Sequence, residues 1–235
     1  MTSPASTASK MAKIRRAVSE EDKASRRQDI LAAAKSVFAE NGYHATTIAD
    51  IARAAGLSYG SIYWYYESKE ALFLELMSAE AGALRERIAE AAASAATGAT
   101  AATTTTAGQP PSPGAEAPFR AAVRATIEFY DADRDLVKLL FRDAFALGES
   151  FEEHLARIQG LFVDDTERLV IGLQRQGVMQ PGPSRVVAFA ITSLIGQLAH
   201  RRLVTDDGLS AETLSDFLVD LLLHGLLVQP RSAPA

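Results

Sequence analysis

The feature that most limits what this chain of 235 residues can fold into is the spacing of its apolar residues. They recur every three or four positions through most of the length, and no convincing strand alternation appears. Ile30, Leu31, Ala34, Val37 and Phe38 set the pattern, and Asn41-Gly42 supplies a C-cap, so a first amphipathic helix is expected over 25–41. Thr47 followed three positions later by Asp50 has the form of a capping box, opening a short helix to Ala55 with Ile48 and Ile51 turned inward. Gly56-Leu57 breaks that helix. Ser58 can cap a third, to Tyr65, and Ser68 a fourth, from about Lys69 to near Ala93. The period then returns over about 119–131, 133–147, 150–177, 183–203 and 210–228, punctuated by Gly148, Gly177, Pro181-Gly182-Pro183 and Asp206-Asp207-Gly208. The expected fold class is all-α: an N-terminal three-helix unit joined through a fourth helix to a larger helical bundle.

The expected organisation is an arm without regular structure over 1–20, a small helical unit over 21–68 and the larger domain over 69–235. Within the last, residues 94–118 are low-complexity Ala, Thr, Gly and Pro and read as a flexible loop. Zero cysteines exclude disulfides, zinc ribbons and thiol nucleophiles. The apolar runs fall short of the roughly 20 residues of a membrane span, and the N-terminal Lys10, Lys13, Arg15 and Arg16 lead into no apolar signal segment. A cytoplasmic protein is expected. The net charge is -5, but residues 1–70 hold ten Lys and Arg against eight Asp and Glu, and the remainder fourteen against twenty-one. A mildly basic head on an acidic body fits a protein whose head alone meets a polyanion.

Two short helices joined at Gly56 and braced by a preceding amphipathic helix have the layout of a helix-turn-helix, whose second helix enters the major groove of DNA. Ile48, Ile51, Ala52, Leu57 and Ile62 form an inward seam against Val37 and Phe38. Ser58, Tyr59, Gly60, Ser61, Tyr63 and Trp64 are left between core edge and surface, where hydroxyls can donate to phosphates and small residues permit close approach. Gly56-Leu57-Ser58-Tyr59-Gly60 also fits the G-x-S-x-G of a hydrolase nucleophile elbow, but that elbow follows a strand in an α/β sheet and here it follows a helix. His44, His154, His200 and His224 are scattered without metal-ligand spacing, and Glu152-Glu153 and Asp164-Asp165 point in different directions on a helix. No catalytic residue, metal site or cofactor is expected.

The run Arg27 to Leu72 contains A-x-x-x-F before Gly42-Tyr43, then Thr46-Thr47, Ile51-Ala52, Ala55-Gly56, Ile62-Tyr63 and Ser68-Lys69-Glu70-Ala71-Leu72. It resembles the DNA-binding domain of TetR-type transcriptional regulators. The resemblance implies that Thr46 or Thr47, Tyr63 and Lys69 lie on phosphates, with Ser58, Tyr59, Gly60 and Ser61 facing base edges and Trp64 on the same helix. No Arg, Lys, Asn or Gln lies between Ser58 and Tyr66, so the strong bidentate pairings with guanine or adenine are missing there. Thymine methyls, water and DNA shape are expected to carry the specificity.

In the body, Val186, Val187, Phe189, Ala190, Ile191, Leu194, Ile195 and Leu198, and then Leu214, Phe217, Leu218, Leu221, Leu222, Leu226 and Leu227, make wide apolar stripes over 183–203 and 210–228. Either the subunit buries them itself or a second copy covers them; the resemblance implies a homodimer through these two helices. The preceding helices, with Ile127, Tyr130, Leu139, Arg142, Phe145, His154 and Ile158, form either plain core or the wall of an apolar pocket. The resemblance implies an inducer site here, to which Gln197 is added as a polar group. The function expected is a ligand-responsive repressor released from a palindromic operator by a small, largely apolar molecule. The rivals are a helical adaptor without specific DNA binding and a hydrolase using Ser58.

Overall fold

The computed structural model describes residues 4–99, 114–135, 137, 139, 149–205 and 208–225, with the side chains of 4–19, 98–99, 149–150 and 203–204 excepted. Among these residues there are eight helices and no strand. They are α1 (Pro4–Asn41), α2 (Ile48–Ala54), α3 (Tyr59–Ile62), α4 (Lys69–Ala99), α5 (Ala117–Ala132), α6 (Glu149–Arg175), α7 (Ser184–Val204) and α8 (Ala211–His224). The chain is all-α, as its apolar period requires.

The helices differ from the sequence expectation chiefly at their ends. α1 begins at Pro4, well before the expected 25 and through most of the segment expected to be an arm. Apolar periodicity begins only near Ile30, but the Ala, Lys, Glu and Arg before it are good helix formers with no interior Gly or Pro to stop them. α4 likewise runs to Ala99, into the segment read as loop, on Ala propensity. There the Thr97 hydroxyl donates back to the carbonyls of Ala93 and Ser94. Residues 100–113 of that loop and most of the helix expected over 133–147 lie outside the described residues. α3 is shorter than expected, although Trp64, Tyr65 and Tyr66 continue its amide bonding to Ser61 and Ile62 as tight turns.

The chain forms two compact units, residues 1–77 and 78–235, and the boundary falls inside α4. The core of the first gathers Ile30, Ala34 and Phe38 of α1, Ile51 and Ala52 of α2, Ile62 of α3, and Leu72, Phe73 and Leu76 of α4, all essentially without exposure. The Phe38 ring meets that of Phe73 edge-on at 5.0 Å, a geometry that aromatic quadrupoles favour. In the second unit α6 packs on α7, and α5 on both α7 and α8. Phe119, Val123, Ile127, Val170, Leu173, Ile191, Ile195, Leu214 and Leu218 fill the space between them. Ion pairs tie the rims: Arg120 of α5 to Asp216 at 2.8 Å and Asp220 at 3.2 Å on α8, Arg124 to Glu212, and Arg185 of α7 to Asp164 at 2.8 Å and Glu167 at 3.0 Å on α6.

Candidate nucleic-acid interface

The candidate interface is built by two caps and a turn. Thr47 is the N-cap of α2: its hydroxyl accepts from the Asp50 amide at 3.2 Å, while its own amide donates to the Asp50 carboxylate at 3.1 Å and its hydroxyl at 2.6 Å. That reciprocal capping box holds the Asp50 carboxyl below its ordinary value. At the other end Gly56 sits at φ +65°, in the left-handed region glycine favours, and the Leu57 amide donates to the Ala52 carbonyl at 2.8 Å, closing α2 and turning the chain. Ser58 then caps α3, accepting from the Ser61 amide at 3.2 Å, with the two serine hydroxyls 2.6 Å apart.

Burial of Ile62 fixes which way α3 faces. Tyr59, Tyr63 and Trp64 are then exposed, at 55%, 45% and 86%. The Tyr59 and Tyr63 hydroxyls are hydrogen-bonded at 2.9 Å and their rings meet at 5.2 Å, so the two phenols act as one block, and that bond pushes the Tyr63 hydroxyl upward in pKa. A Cβ added at Gly60 would meet nothing within 4 Å, so no packing inside the subunit demands glycine there. Ser58, Tyr59, Gly60, Tyr63 and Trp64 thus form an exposed surface of aromatic faces and hydroxyls, with Ser61 half-buried at its edge and Thr47 exposed at the start of α2.

Two of the residues nominated for phosphates, Thr46 and Lys69, are less open than Thr47. Thr46 is 1% exposed and its hydroxyl donates to the Gly42 carbonyl at 2.7 Å, so it is a buried turn residue, and of the threonine pair only Thr47 presents a hydroxyl to solvent. Lys69 is half-buried, with Nζ donating to the carbonyls of Tyr43 at 2.7 Å, Thr46 at 2.8 Å and His44 at 3.4 Å. Arg53 is exposed and pairs with Asp50 at 3.2 Å.

A cluster that sequence reasoning missed holds α4 to α1 beneath this surface. The Arg27 guanidinium forks onto Glu75 at 3.2 and 2.6 Å, the Tyr66 hydroxyl donates to the same carboxylate at 3.2 Å, and the Arg27 guanidinium carbon stands 5.2 Å from the centre of the Tyr66 ring. Burial, with the Glu75 charge beside it, pushes the Tyr66 hydroxyl up to about 12. Arg27 and Glu75 are 48 positions apart, and nothing in either local pattern marks them as partners.

The residues nominated for a ligand fall less neatly together. Ile127 and Leu139 are buried, Ile127 within the apolar core shared by α5 to α8. Tyr130 follows on α5, its hydroxyl pushed up to about 12 by burial. His154 is half-buried with Nε2 2.9 Å from the Ser78 hydroxyl, and Ile158 is half-buried one turn on. Gln197 is exposed, because Ile191, Ile195 and Ala199 take the inner face of α7. Arg142 and Phe145 lie outside the described residues. As for catalysis, Ser58 caps a helix that follows a helix, which is not the strand-to-helix setting of a nucleophile elbow. Among the described residues no group of three His, Asp or Glu is placed to hold a metal, and no helix is long and apolar enough to cross a membrane.

Comparison with known proteins places the two units separately. Residues 30–76 match the family described as bacterial regulatory proteins, tetR family, and residues 113–226 match the tetracyclin repressor-like C-terminal domain. The fatty acid metabolism regulator protein of Bacillus subtilis is 41% identical over 61 residues, 26% of this chain and 31% of that protein. The transcriptional regulator QacR of Staphylococcus aureus is 40% identical over 58 residues, 25% of this chain and 31% of that one. The chain thus spans about a third of the length of the curated relatives it matches. Among solved structures, the fatty acid degradation regulator FadR from Bacillus halodurans has a TM-score of 0.69 at 21% identity, covering 86% of this chain and 96% of that one. FadR from Bacillus subtilis in complex with stearoyl-CoA has 0.66 at 19%, covering 85% and 99%. These likenesses extend the shared fold over both units.

Proposed function

The chain belongs to the TetR family of bacterial regulatory proteins, and from that premise we propose that it is a transcriptional repressor that binds double-stranded DNA and leaves its operator when a small, largely apolar ligand binds the second unit. The observation that carries the DNA reading is the surface of α3. Ile62 alone anchors that helix, while Tyr59, Tyr63 and Trp64 present large aromatic faces to solvent where packing has no use for them, beside open space at Gly60. Ser58 and Ser61 on the same helix, and Thr47 at the start of α2, add hydroxyls that can meet phosphates. An adaptor would not need a groove-sized helix capped in this way, and Ser58 lacks the setting of a nucleophile, so we read no enzymatic activity in it.

Two copies would act together. Val186 and Phe189 on α7 and Phe217 on α8 are exposed although their neighbours Ala188, Leu218 and Val219 are buried, which supports a homodimer through these helices. For the ligand, Ile127, Tyr130, Leu139, Arg142, Phe145, His154, Ile158 and Gln197 stay the nominated residues; the acyl chain of the stearoyl-CoA in the Bacillus subtilis structure supports a ligand with a large apolar part. We place the protein in the cytoplasm, where its DNA is.

Selection of bound duplexes from a random pool tests the reading. Enrichment of one inverted repeat, bound with a steep salt dependence, is the expected outcome. A pool that returns unenriched after repeated rounds would refute it.

A further inference from the structure

The two phenols of α3 stand four residues apart, the spacing at which side chains meet along one face of a helix. Tyr63 follows the last residue of α3 but keeps helical backbone, at φ -65° and ψ -14°, so the register carries through to it. The hydroxyls lie 2.9 Å apart, and the rings meet at 5.2 Å with 66° between their planes. Tyr59 is 55% exposed and Tyr63 45%, so water competes for the bond between them and it adds little to the fold. Its worth rises wherever a partner surface excludes that water.

The count of protons decides what the pair can offer such a surface. Each phenol carries one proton and accepts through its oxygen. With the hydroxyls bonded to each other, one proton lies between them and one is left to point elsewhere. A phosphate oxygen only accepts. For Tyr63 to meet one it must give its own proton outward, and all it can then offer Tyr59 is a lone pair. Tyr59 becomes the donor inside the pair, and a hydroxyl that accepts while it donates is the stronger donor for it.

Resting on the DNA-binding reading above, we propose that Tyr59 is a positioning residue for Tyr63: its hydroxyl donates to that of Tyr63, which holds the second phenol in place and leaves its proton as one strengthened donor to a phosphate oxygen.

Replacing either phenol by Phe removes an oxygen and keeps the ring, so Tyr59→Phe, Tyr63→Phe and the double variant of the full chain make a closed cycle. Affinity is read for the duplex recovered by selection and for an unrelated duplex of the same length. Tyr63→Phe should weaken both about tenfold, as for a hydrogen bond to a charged group. Tyr59→Phe should weaken both about three- to fivefold while Tyr63 is present, and by less than about twofold where Tyr63 is already Phe. Thermal midpoints should stay native throughout. A Tyr59→Phe loss of equal size in both backgrounds, or one confined to the selected duplex, would mean that the hydroxyl reads DNA by itself, and it overturns the proposal. No loss at all, or a lowered midpoint in Tyr59→Phe, overturns it too. Alkaline titration of the free protein, followed by NMR of the tyrosine ring carbons, needs no DNA. The bond to Tyr59 holds the Tyr63 hydroxyl above its ordinary 10.0, and Tyr59→Phe should bring it back down. If the unaltered protein prefers no duplex, the DNA-binding reading fails by itself, and the titration still decides whether Tyr59 acts on Tyr63.

Discussion

Thr47 and Asp50 show how much of the interface rests on single side chains. Each caps the other, so Thr47→Ala removes a hydroxyl that satisfies the Asp50 amide and should cost about 1 kcal/mol, read as a lower urea midpoint at unchanged slope. The Asp50 carboxyl is held below its ordinary 3.8 first by the Thr47 hydroxyl and then by the Thr47 amide. A carboxyl depressed in the fold stabilises above its unfolded value and loses that contribution as pH falls through the folded one. Acid below about pH 4, not the range from 5 to 8, should therefore loosen α2, and Asp50→Asn should flatten the acid limb of a stability profile. Trp64 is the only tryptophan and is 86% exposed, so its emission reports on one place. Saturating operator should shift or quench it, and a signal that stays constant while anisotropy shows binding would move the interface off α3. The capping box was legible in the sequence because its partners sit three positions apart; the Arg27–Glu75–Tyr66 cluster was not, because only the fold brings its members together.

α3 and α8 each separate what holds the fold from what faces outward. On α3, Gly60 has open space around it, so Gly60→Ala should leave the protein as stable or stabilise it by about 0.5–1 kcal/mol, from the helix propensity gained. DNA binding should nonetheless weaken, since a methyl then stands where backbone would approach a groove. Calorimetry beside anisotropy tests this, and equal losses in both would show that Gly60 serves the fold. On α8, Leu218 is 1% exposed and its neighbour Phe217 55%. Leu218→Ala should cost about 2–5 kcal/mol of subunit stability. Phe217→Glu should leave each subunit folded and yield monomers by sedimentation at micromolar concentration. Helix existence and facing were legible here, from period alone; helix ends were not. α1 and α4 outrun their amphipathic stretches because Ala, Lys and Glu favour helix without any core to face, a preference that hydrophobic spacing does not register.

For the whole molecule, the proposed homodimer would set a two-fold pair of heads on the same half-site on opposite strands, so the selected sequence should be an inverted repeat with half-site centres about 10 bp or a multiple apart. A motif without dyad symmetry, bound equally well as a single half-site, would contradict it. The charge pattern was legible as a whole-chain property: the mildly basic count lies within residues 1–70 and the acidic excess beyond. The ligand was not, because a specific pocket depends on how side chains from several helices converge, and no short motif encodes that. The boundary between the units has a further meaning. It falls at Met77–Ser78, in the middle of a helix, and the Arg27–Glu75–Tyr66 cluster and the Lys69 hydrogen bonds lie wholly on one side of it. Recombination between related genes at that point would cut a continuous helix rather than a loop, and it would pass on residues 1–77, with the contacts that hold them together, as one piece. On the function proposed above, such an exchange would keep one unit's choice of DNA and change the compound that governs it.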